Sequence, residues 1–388
     1  MNGSRKLRVL LVAAEVSSSL YARRLLEQWQ SEKLDVEAFG IGSEDMEELG
    51  FERLGKAEEL AVVGVTEVLS NFGLIRKTFY DLINAAKTRK PDVILLLDYP
   101  DFNLRLAEKL KVLGFPIVYY ISPQIWAWRQ KRVHQIKRLV DKVLVLFPFE
   151  ESFYKEYDVP VDFVGHPLLD EVDRGQFSAE ERKLRRAKLG IGDNERLLGL
   201  MPGSRRSELG HHLDVQLQAA AEVLRKQPNT RLALLAAPGL DVDQLRAKLG
   251  EYDLPIILMK DDPFNMIQLC DAMISASGTA TLMVGLMEVP MVIMYRMNGL
   301  TAFLAKRLVK NKTFGLINLV LGQVVAPEFF QEEANPVALC DAVLPLLYDE
   351  GVASKMKSEL AQARYRLGDR GVTERVASAL REYERVES

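Results

Sequence analysis

The sequence predicts an α/β fold of two Rossmann-like domains, each a doubly wound parallel sheet, that face each other across a cleft. Its 388 residues suffice for about two domains. Short apolar segments alternate with segments of helical period in both halves of the chain. The apolar segments are nearly continuous rather than alternating, which is the pattern of parallel strands that helices cover on both faces.

The candidate strands are apolar segments distributed along both halves of the chain. In the first half they are LRVLLVAA, DVEAFGIG, DVILLLD, PIVYYISP, KVLVLFP and VDFVGH. In the second half they are LLGLMPGS, RLALLAAP, PIILMK, AMISAS and PMVIMYR. Helical spacing of apolar residues is clear in FNLRLAEKLKVLG and SELGHHLDVQLQAAAEVLRKQ, and each of these follows a candidate strand.

The domain boundaries follow from a charged segment without a candidate strand at residues 173–196. We predict an N-terminal domain at 1–172, a linker that contains a helix at 173–196 and a C-terminal domain at 197–345. The final segment, 346–388, is rich in Ala, Leu, Arg and Glu. We expect it to form helices that brace the N-terminal domain.

Composition narrows the class of protein. A formal net charge of -3, from 51 basic and 54 acidic residues, argues against a general nucleic-acid binder. The two cysteines, Cys270 and Cys340, form no CxxC pair, and the histidines form no HExxH motif, so no metal site is expected. No apolar stretch reaches the ~20 residues that a transmembrane helix needs.

Two carboxylates follow the third candidate strand, in the segment LLLDYPDFN at residues 95–103. The carboxyl ends of parallel strands are where α/β folds bind their ligands. We therefore predict that Asp98, at the strand tip, acts as a general base. Asp101 is better interpreted as the N-cap of the helix that follows.

Two loops in the second half are typical of anion binding at a helix N-terminus. In LMPGSRRSE, Gly203 and Ser204 suit a turn with its amides directed at a phosphate, and Arg205 can form a forked pair with that phosphate. The second loop, SASGTATLM, leads into a helix through Ser277, Gly278 and Thr279. Each loop alone also fits an ordinary turn, whereas the pair favours a diphosphate.

The segment ISPQIWAWRQKRV contains two of the three tryptophans of the chain, next to basic residues. Trp126 and Trp128, with Arg129, suit the wall of a cleft that offers a π-face to a sugar or acyl chain beside a phosphate. They equally suit a loop packed by its own aromatic side chains. Composition leaves both interpretations open.

Two further segments have the character of lipid contacts. Residues 60–83 fit either a buried helix pair or a helix that dips into a membrane. Residues 303–312 mix apolar and basic side chains, and they fit either an anionic-lipid contact or a solvated face.

The motifs resemble one known family over nearly the whole chain, the lipid-A-disaccharide synthases. The resemblance is carried by EELAVVGVTEVL, DYPDFN, SPQIWAWRQKRV, FPFEESFY, VGHPLLD, PGSRRSE, SGTATL and MVIMYRM. It implies a GT-B fold and an inverting glycosyltransferase that needs no metal or other cofactor. The expected reaction transfers 2,3-diacylglucosamine from its UDP derivative to 2,3-diacylglucosamine 1-phosphate. The products are the β-1,6 lipid A disaccharide and UDP, made at the cytoplasmic face of the inner membrane.

The resemblance also implies roles for individual residues. Asp98 would take the proton from the 6-hydroxyl of the acceptor in the N-terminal domain. Arg205 would hold the UDP diphosphate in the C-terminal domain, aided by the helix start at 277–279. The residues expected to line the acceptor side of the cleft are Trp126, Trp128, Arg129 and Asn318. Residues 60–83 and 303–312 would contact the membrane, and the sequence is compatible with a homodimer.

The first loop, VAAEVSSS, departs from the pattern of the family, which reads G-E-x-S-G-D. This chain keeps Glu15 and Ser17, which we predict to contact ligand, but has Ala14, Ser18 and Ser19 in place of Gly, Gly and Asp. Ser18 replaces a residue that permits close approach of the backbone, and Ser19 removes a carboxylate.

Further positions depart from the family. Ser43 and Glu44 stand within its G-x-G-G-P motif, and Met283 replaces a glutamate that binds the nucleotide ribose in GT-B enzymes. The sequence therefore leaves two hypotheses. One is an active synthase with adjusted contacts. The other is a divergent paralogue that uses another nucleotide sugar, or that binds lipid or nucleotide without catalysis.

Overall fold

The structure is a computed structural model that describes residues 6–60, 72–128, 130–172, 176–237, 240–297 and 313–384. Arg129, residues 303–312 and residues 61–71 of the segment 60–83 lie outside the described residues. For Ser17 and Trp128 the backbone is described and the side chain is not. The chain divides into two compact units. The first unit is Met1–Pro167 with Gly368–Ser388, and the second unit is Leu168–Leu367.

The first unit contains a parallel sheet covered by helices. Its strands are β1 (Leu7–Ala13), β2 (Val36–Gly42), β3 (Glu52–Lys56), β4 (Val93–Leu97), β5 (Ile117–Tyr120), β6 (Lys142–Val145) and β7 (Val161–Phe163). Its helices are α1 (Val16–Ser31), α2 (Ala57–Leu60), α3 (Phe72–Arg89), α4 (Pro100–Val112), α5 (Ile125–Trp128), α6 (Val133–Leu139) and α7 (Pro148–Glu156).

The strand order in this sheet is β3-β2-β1-β4-β5-β6-β7. Strand β4, VILLL, is buried along its whole length because helices cover both of its faces. The order of the strands reverses between β1 and β4, which makes the gap beyond their carboxyl ends the expected ligand position.

The second unit repeats this plan. Its strands are β8 (Arg196–Met201), β9 (Thr230–Leu235), β10 (Ile256–Met259), β11 (Ala272–Ala276), β12 (Met291–Tyr295) and β13 (Glu328–Phe330). They form a parallel sheet in the order β10-β9-β8-β11-β12-β13, and its switch point lies between β8 and β11. Its helices up to β12 are α8 (Leu168–Val172), α9 (Ala179–Lys188), α10 (Arg206–Lys226), α11 (Val242–Leu249), α12 (Pro263–Ile267) and α13 (Thr279–Leu286).

The remaining helices follow β12. They are α14 (Leu316–Leu321), α15 (Pro336–Tyr348), α16 (Glu350–Leu360), α17 (Gln362–Arg366) and α18 (Val372–Arg381). The first four belong to the second unit, and α18 belongs to the first. In the parts of the chain that the structure describes, no helix combines the length and apolar character needed to cross a membrane.

The predicted α/β class is confirmed, and each predicted strand is present. Sequence analysis missed β3 and β13, which are edge strands with the short sequences ERLGK and EFF. Since an edge strand is covered less completely, it does not need the continuous apolar run on which the prediction relied.

The domain boundaries differ from those predicted. The helix predicted within the linker is α9, but it belongs to the second unit, where its Arg186 lies 3.0 Å from an Asp271 carboxylate oxygen. Burial alone would raise the pKa of Asp271, but Arg186 and further partners outweigh burial and lower it. Residues 346–367 also belong to the second unit, so the prediction that all of 346–388 braces the N-terminal domain is wrong for them.

Candidate active site

Asp98 lies at the switch point of the first unit, directly after β4. The register pairs Ala13 of β1 with Leu97 of β4, so the loops that begin at Ala14 and Asp98 leave the same edge of the sheet side by side. Burial raises the pKa of Tyr99, and the Glu15 carboxylate contributes to this increase. Glu15 and the Asp98–Tyr99 segment are therefore electrostatic neighbours.

The backbone is strained at this edge of the sheet. Asp98, Tyr99 and Ile121 adopt left-handed conformations, with φ of 48°, 45° and 58°. Such conformations are unfavourable for residues other than glycine and cluster at functional sites. They follow two neighbouring strands, β4 and β5, which supports this edge as the position of the site.

The predicted helix cap at Asp101 is wrong. The N-cap position of α4 is Tyr99, and Asp101 lies in the first turn. The Asp101 carboxylate is exposed and forms an ion pair of 2.8 Å with Arg132. Pro100 at the first helical position shifts the helix start towards the strand.

The serines of the first loop bond to the loop itself. The Ser18 hydroxyl accepts a hydrogen bond from the Glu15 amide at 3.0 Å and donates one to the Glu15 carbonyl oxygen at 2.9 Å. The Ser19 hydroxyl donates to the Ala13 carbonyl oxygen at 3.1 Å. Both serines are buried and lie within α1, outside the positive-φ region, so this backbone does not require glycine at position 18.

Trp126 is held by a buried carboxyl group that sequence analysis missed. Its indole nitrogen donates to Glu150 at 3.2 Å, and the amides of Leu146 and Phe147 donate to the other carboxyl oxygen at 3.2 Å each. Burial raises the pKa of Glu150 to about 7, although these donors oppose the increase. The motif FPFEESFY contains a signal for Glu150, namely a glutamate two residues after a proline, which places it in the first turn of α7.

Trp126 belongs to a series of aromatic ring contacts. The Trp126 ring meets the Phe149 ring edge-on at 4.8 Å, and Phe147 stacks on Phe149 at 5.2 Å. His166, after β7, packs against Phe147, and burial lowers its pKa to about 3. Trp126 is packed by these aromatic side chains and is still partly exposed, so its place in the wall of the cleft stays a prediction.

The segment 60–83 packs inward where the structure describes it. Ile75 and Phe79 of α3 lie against the core of the first unit, and the Phe79 ring meets Phe102 at 5.6 Å. The buried-helix interpretation therefore applies to these two residues. Tyr80, on the same helix, is half exposed.

In the second unit, Arg205 follows β8 and its side chain is exposed. The predicted anion-binding amides are already occupied, because Glu208 accepts hydrogen bonds from Ser204 at 2.8 Å and Arg205 at 3.3 Å. Gly203 permits this arrangement: its φ is 123°, and a Cβ there would lie 2.5 Å from the Glu208 carboxylate. The turn of Gly203 and Ser204 thus binds a carboxylate of its own helix, and Arg205 remains the candidate for a phosphate.

The hydroxyl and the amide of Ser277 also have hydrogen-bond partners within the second unit. Its hydroxyl donates to the Phe314 carbonyl oxygen at 3.0 Å, and its amide donates to Met294 at 2.9 Å. Gly278, with φ of 146°, precedes α13 and has open space on its Cβ side, and Thr279 is exposed. The helix start at Gly278 and Thr279 therefore fits an anion better than Ser277 does.

Asn318, predicted on the acceptor side of the cleft, makes four hydrogen bonds within the second unit. Its side-chain nitrogen donates to Ala326 and to Glu328, at 2.7 Å each. Its side-chain oxygen accepts from the amides of Val325 and Ala326, at 2.9 and 3.0 Å. A buried amide that is satisfied at both ends orders the backbone before β13 and leaves no group for a ligand.

His212 joins two loops of the second unit. Its Nδ1 lies 2.8 Å from the Pro202 carbonyl oxygen, and its Nε2 accepts a hydrogen bond from the Arg296 amide at 3.0 Å. These partners assign the neutral ring with the proton on Nδ1. Burial lowers the pKa of His212, which favours the same neutral form. The loops after β8 and β12 are thereby fixed to each other.

Arg205 and Glu208 both lie close enough to Tyr295 to affect its pKa. Burial raises the pKa of Tyr295, at the end of β12, while Glu208 adds to this increase and Arg205 opposes it.

Two other residues that differ from the family pattern, Ser43 and Met283, lie in short local structures. Ser43 precedes a short 3-10 helix, Glu44–Leu49, and its hydroxyl bonds to Asp45. Met283 lies partly exposed on α13.

Two Rossmann-like units, each with its candidate residues beyond the switch point of a parallel sheet, define a GT-B protein, and the motifs at those edges are those of a glycosyltransferase. The family model described as Lipid-A-disaccharide synthetase matches residues 9–382. The chain belongs to the lipid-A-disaccharide synthase family.

Relatives support this assignment over the full length. A lipid-A-disaccharide synthase of Trichlorobacter lovleyi is 41% identical and covers 96% of each chain. The synthase of Geobacter metallireducens is 38% identical and covers 97% of each chain. The predicted family and class of enzyme are thereby confirmed.

Solved structures support the fold. A putative UDP-N-acetylglucosamine 2-epimerase from Listeria monocytogenes aligns with a TM-score of 0.67 at 13% identity, covering 98% of this chain and 96% of its own. An Anabaena protein in complex with UDP and glucose aligns with a TM-score of 0.60 at 13% identity, covering 97% of this chain and 99% of its own. At such identities the likeness concerns the fold alone.

Proposed function

We propose that the chain transfers 2,3-diacylglucosamine from its UDP derivative to 2,3-diacylglucosamine 1-phosphate, forming the β-1,6 lipid A disaccharide and UDP. The observation that carries this proposal is Asp98, a carboxylate in a strained left-handed position at the switch point of the first unit. Strain of this kind persists where the surrounding structure fixes a functional group.

In the proposed reaction, Asp98 is the general base. Its carboxylate takes the proton from the 6-hydroxyl of the acceptor as the hydroxyl oxygen attacks the anomeric carbon of the donor. The bond from that carbon to the diphosphate oxygen breaks, and UDP leaves with the bonding electrons. Attack on the face opposite UDP inverts the anomeric configuration.

On the donor side, we propose that Arg205 stabilises the diphosphate as negative charge develops on it. Its guanidinium can form two parallel hydrogen bonds with phosphate oxygens. The amides at the start of α13, near Gly278 and Thr279, add partial positive charge. In this mechanism the guanidinium supplies the positive charge, so no metal ion takes part.

The first loop supports an active enzyme over an inactive paralogue. Ser18 and Ser19 stabilise the loop through their own backbone hydrogen bonds, and Glu15 stays next to the Asp98 segment. Met283 still changes the contact with the UDP-sugar, because a thioether is a weak hydrogen-bond acceptor for the ribose hydroxyls.

We further propose that the enzyme works as a peripheral protein on the cytoplasmic face of the inner membrane, where its lipid-linked substrates lie. Contact would involve residues 60–83 and 303–312. Since Ile75 and Phe79 pack on the protein core, they are not part of that contact.

The test is acceptor-dependent release of UDP in detergent. We expect release by the wild-type chain and a loss of about 10²- to 10⁴-fold in kcat for Asp98→Ala, the range typical of a general base. Asp101→Asn is the matched control, because that carboxylate lies three residues away and is paired with Arg132. It should retain its kcat within about two-fold.

Two results would contradict the proposal. Release that survives in Asp98→Ala would remove the assigned base. Wild-type release with another UDP-sugar, but none with UDP-2,3-diacylglucosamine, would establish the divergent paralogue instead.

A further inference from the structure

The conformation of the Asp98–Tyr99 segment needs an explanation, because two successive non-glycine residues are left-handed there. A single residue of this kind is uncommon, and an isolated pair is less favourable still. Nothing in the local sequence DYPD favours the left-handed region at both positions. Contacts from outside the segment must therefore hold it.

Two buried side chains supply those contacts, and both act on one atom. The Asp98 carbonyl oxygen accepts a hydrogen bond of 2.6 Å from the Tyr119 hydroxyl and one of 2.7 Å from the Asn103 side-chain nitrogen. The same Asn103 nitrogen also donates to the Leu97 carbonyl oxygen at 3.1 Å. Both donors are fully buried, so water does not compete for these bonds.

Each donor comes from a rigid element. Tyr119 lies on β5, which pairs with β4, and Asn103 lies in the first part of α4. The Asp98 amide in turn donates to Tyr120 on the same neighbouring strand, at 3.3 Å. The peptide unit of Asp98 is thus fixed on both sides, while its side chain stays partly exposed at the sheet edge.

The Tyr119 phenol is a donor and not a second acid or base. Burial raises its pKa well above the ordinary tyrosine value, so it stays protonated at neutral pH. It therefore acts on the reaction only through the backbone of Asp98.

We propose that Tyr119 and Asn103 are positioning residues that hold the strained Asp98 peptide and thereby aim the carboxylate at the acceptor hydroxyl. This inference rests on the proposed function, in which Asp98 is the base. A base displaced by about 1 Å loses rate through geometry, while substrate binding elsewhere is unchanged. Loss of a positioning residue should therefore lower kcat and leave KM unchanged.

The experiment compares two tyrosines. Tyr119→Phe removes only the hydroxyl that bonds to Asp98, and Tyr154→Phe is the matched control because Tyr154 is equally buried in the same unit. Asn103→Ser is a second, independent variant that shortens the other donor. Steady-state UDP release by the full-length chain gives kcat and both KM values, alongside wild type and Asp98→Ala, well below the unfolding temperature of each protein.

We expect Tyr119→Phe to lower kcat by about ten-fold or more, with both KM values within two-fold of wild type. Asn103→Ser should do the same, and Tyr154→Phe should retain its kcat. The pH dependence of kcat should keep its shape in Tyr119→Phe, because the base is unchanged and only its placement is lost.

The inference is overturned if kcat of Tyr119→Phe stays within two-fold of wild type, if its loss appears in KM, or if Tyr154→Phe loses as much. Should Tyr119→Phe not fold, Asn103→Ser decides by the same criteria. Activity that is present in wild type and absent in Asp98→Ala shows that the proposed function stands, so failure of the inference alone is recognisable. A wild-type chain without activity refutes both.

Discussion

At the scale of single residues, the buried polar side chains of the first unit are the informative ones. Ser18 and Ser19 stand where the family has Gly and Asp, yet each hydroxyl is bonded to the loop from which it comes. A residue inside a helix does not need the conformational freedom of glycine. The exchange therefore alters what the loop offers a ligand without distorting its backbone.

Glu150 gives a prediction on pH. Its pKa is raised from 4.5 to about 7 in the folded chain. Between these values the folded state keeps a proton that the unfolded state has lost, so the contribution of Glu150 to stability falls as pH rises. We expect Glu150→Gln to remove this dependence. Its stability relative to wild type should increase by up to roughly 3 kcal/mol from pH 5 to pH 8.

Urea unfolding of both proteins at the two pH values measures this difference. Glu151→Gln is the control, since Glu151 is the neighbouring glutamate and pairs with Lys155 at 2.8 Å on the same helix. Parallel pH profiles for wild type and Glu150→Gln would show that the buried carboxyl does not titrate as stated.

At the scale of elements, helix α10 connects the loops that follow β8 and β12. His212 makes this connection through hydrogen bonds to Pro202 and Arg296. The loop after β8 carries Arg205, so the position of this proposed phosphate ligand depends on a residue one to two turns further along the helix.

His212→Phe tests the connection. The ring keeps its approximate size but loses both nitrogens, which leaves a buried carbonyl oxygen and an amide without a partner. Each costs about 1–3 kcal/mol, so we expect a loss of roughly 2–5 kcal/mol in the free energy of unfolding. The KM for the UDP-sugar should rise, because the loop of Arg205 is less ordered.

His211→Phe is the natural control for this variant, as the adjacent histidine is exposed. It should lie within about 0.5 kcal/mol of wild type. Equal losses in the two variants, measured by chemical denaturation, would argue that the effect comes from the added aromatic ring and not from the lost hydrogen bonds.

At the scale of the whole molecule, the chain forms the second unit and then returns to complete the first. Helix α18 packs on α1, and Arg375 donates to the Val164 carbonyl oxygen at 2.9 Å. Its buried residues include Val372, Val376 and Leu380. The first unit is therefore built from two separate parts of the sequence.

A chain that ends at Leu367 should lose the stability of the first unit and keep that of the second. The three buried side chains alone represent about 5 kcal/mol or more, which is comparable to the net stability of a domain. Hydrogen exchange should lose protection in residues 6–167 and retain it in 176–367. A chain that ends at Arg381 keeps α18 and should behave as wild type, and loss of protection in both units of the shorter chain would contradict this account.

The fold class, the strands of both sheet interiors, the family and the loop of Asp98 could all be predicted from the sequence. These features follow from contiguous residues, because apolar runs specify buried parallel strands and a motif can be recognised without knowing which residues it contacts. The edge strands β3 and β13, and the assignment of residues 346–367 to the second unit, depend on contacts that are visible only in the folded chain. The folded structure also shows which predicted ligand groups already form hydrogen bonds within the protein, as at Asn318 and Ser277.

The hydrogen bond from Tyr119 to the strained Asp98 peptide joins residues 21 positions apart. Only the pairing of strands β4 and β5 brings them together, and no local pattern encodes that contact.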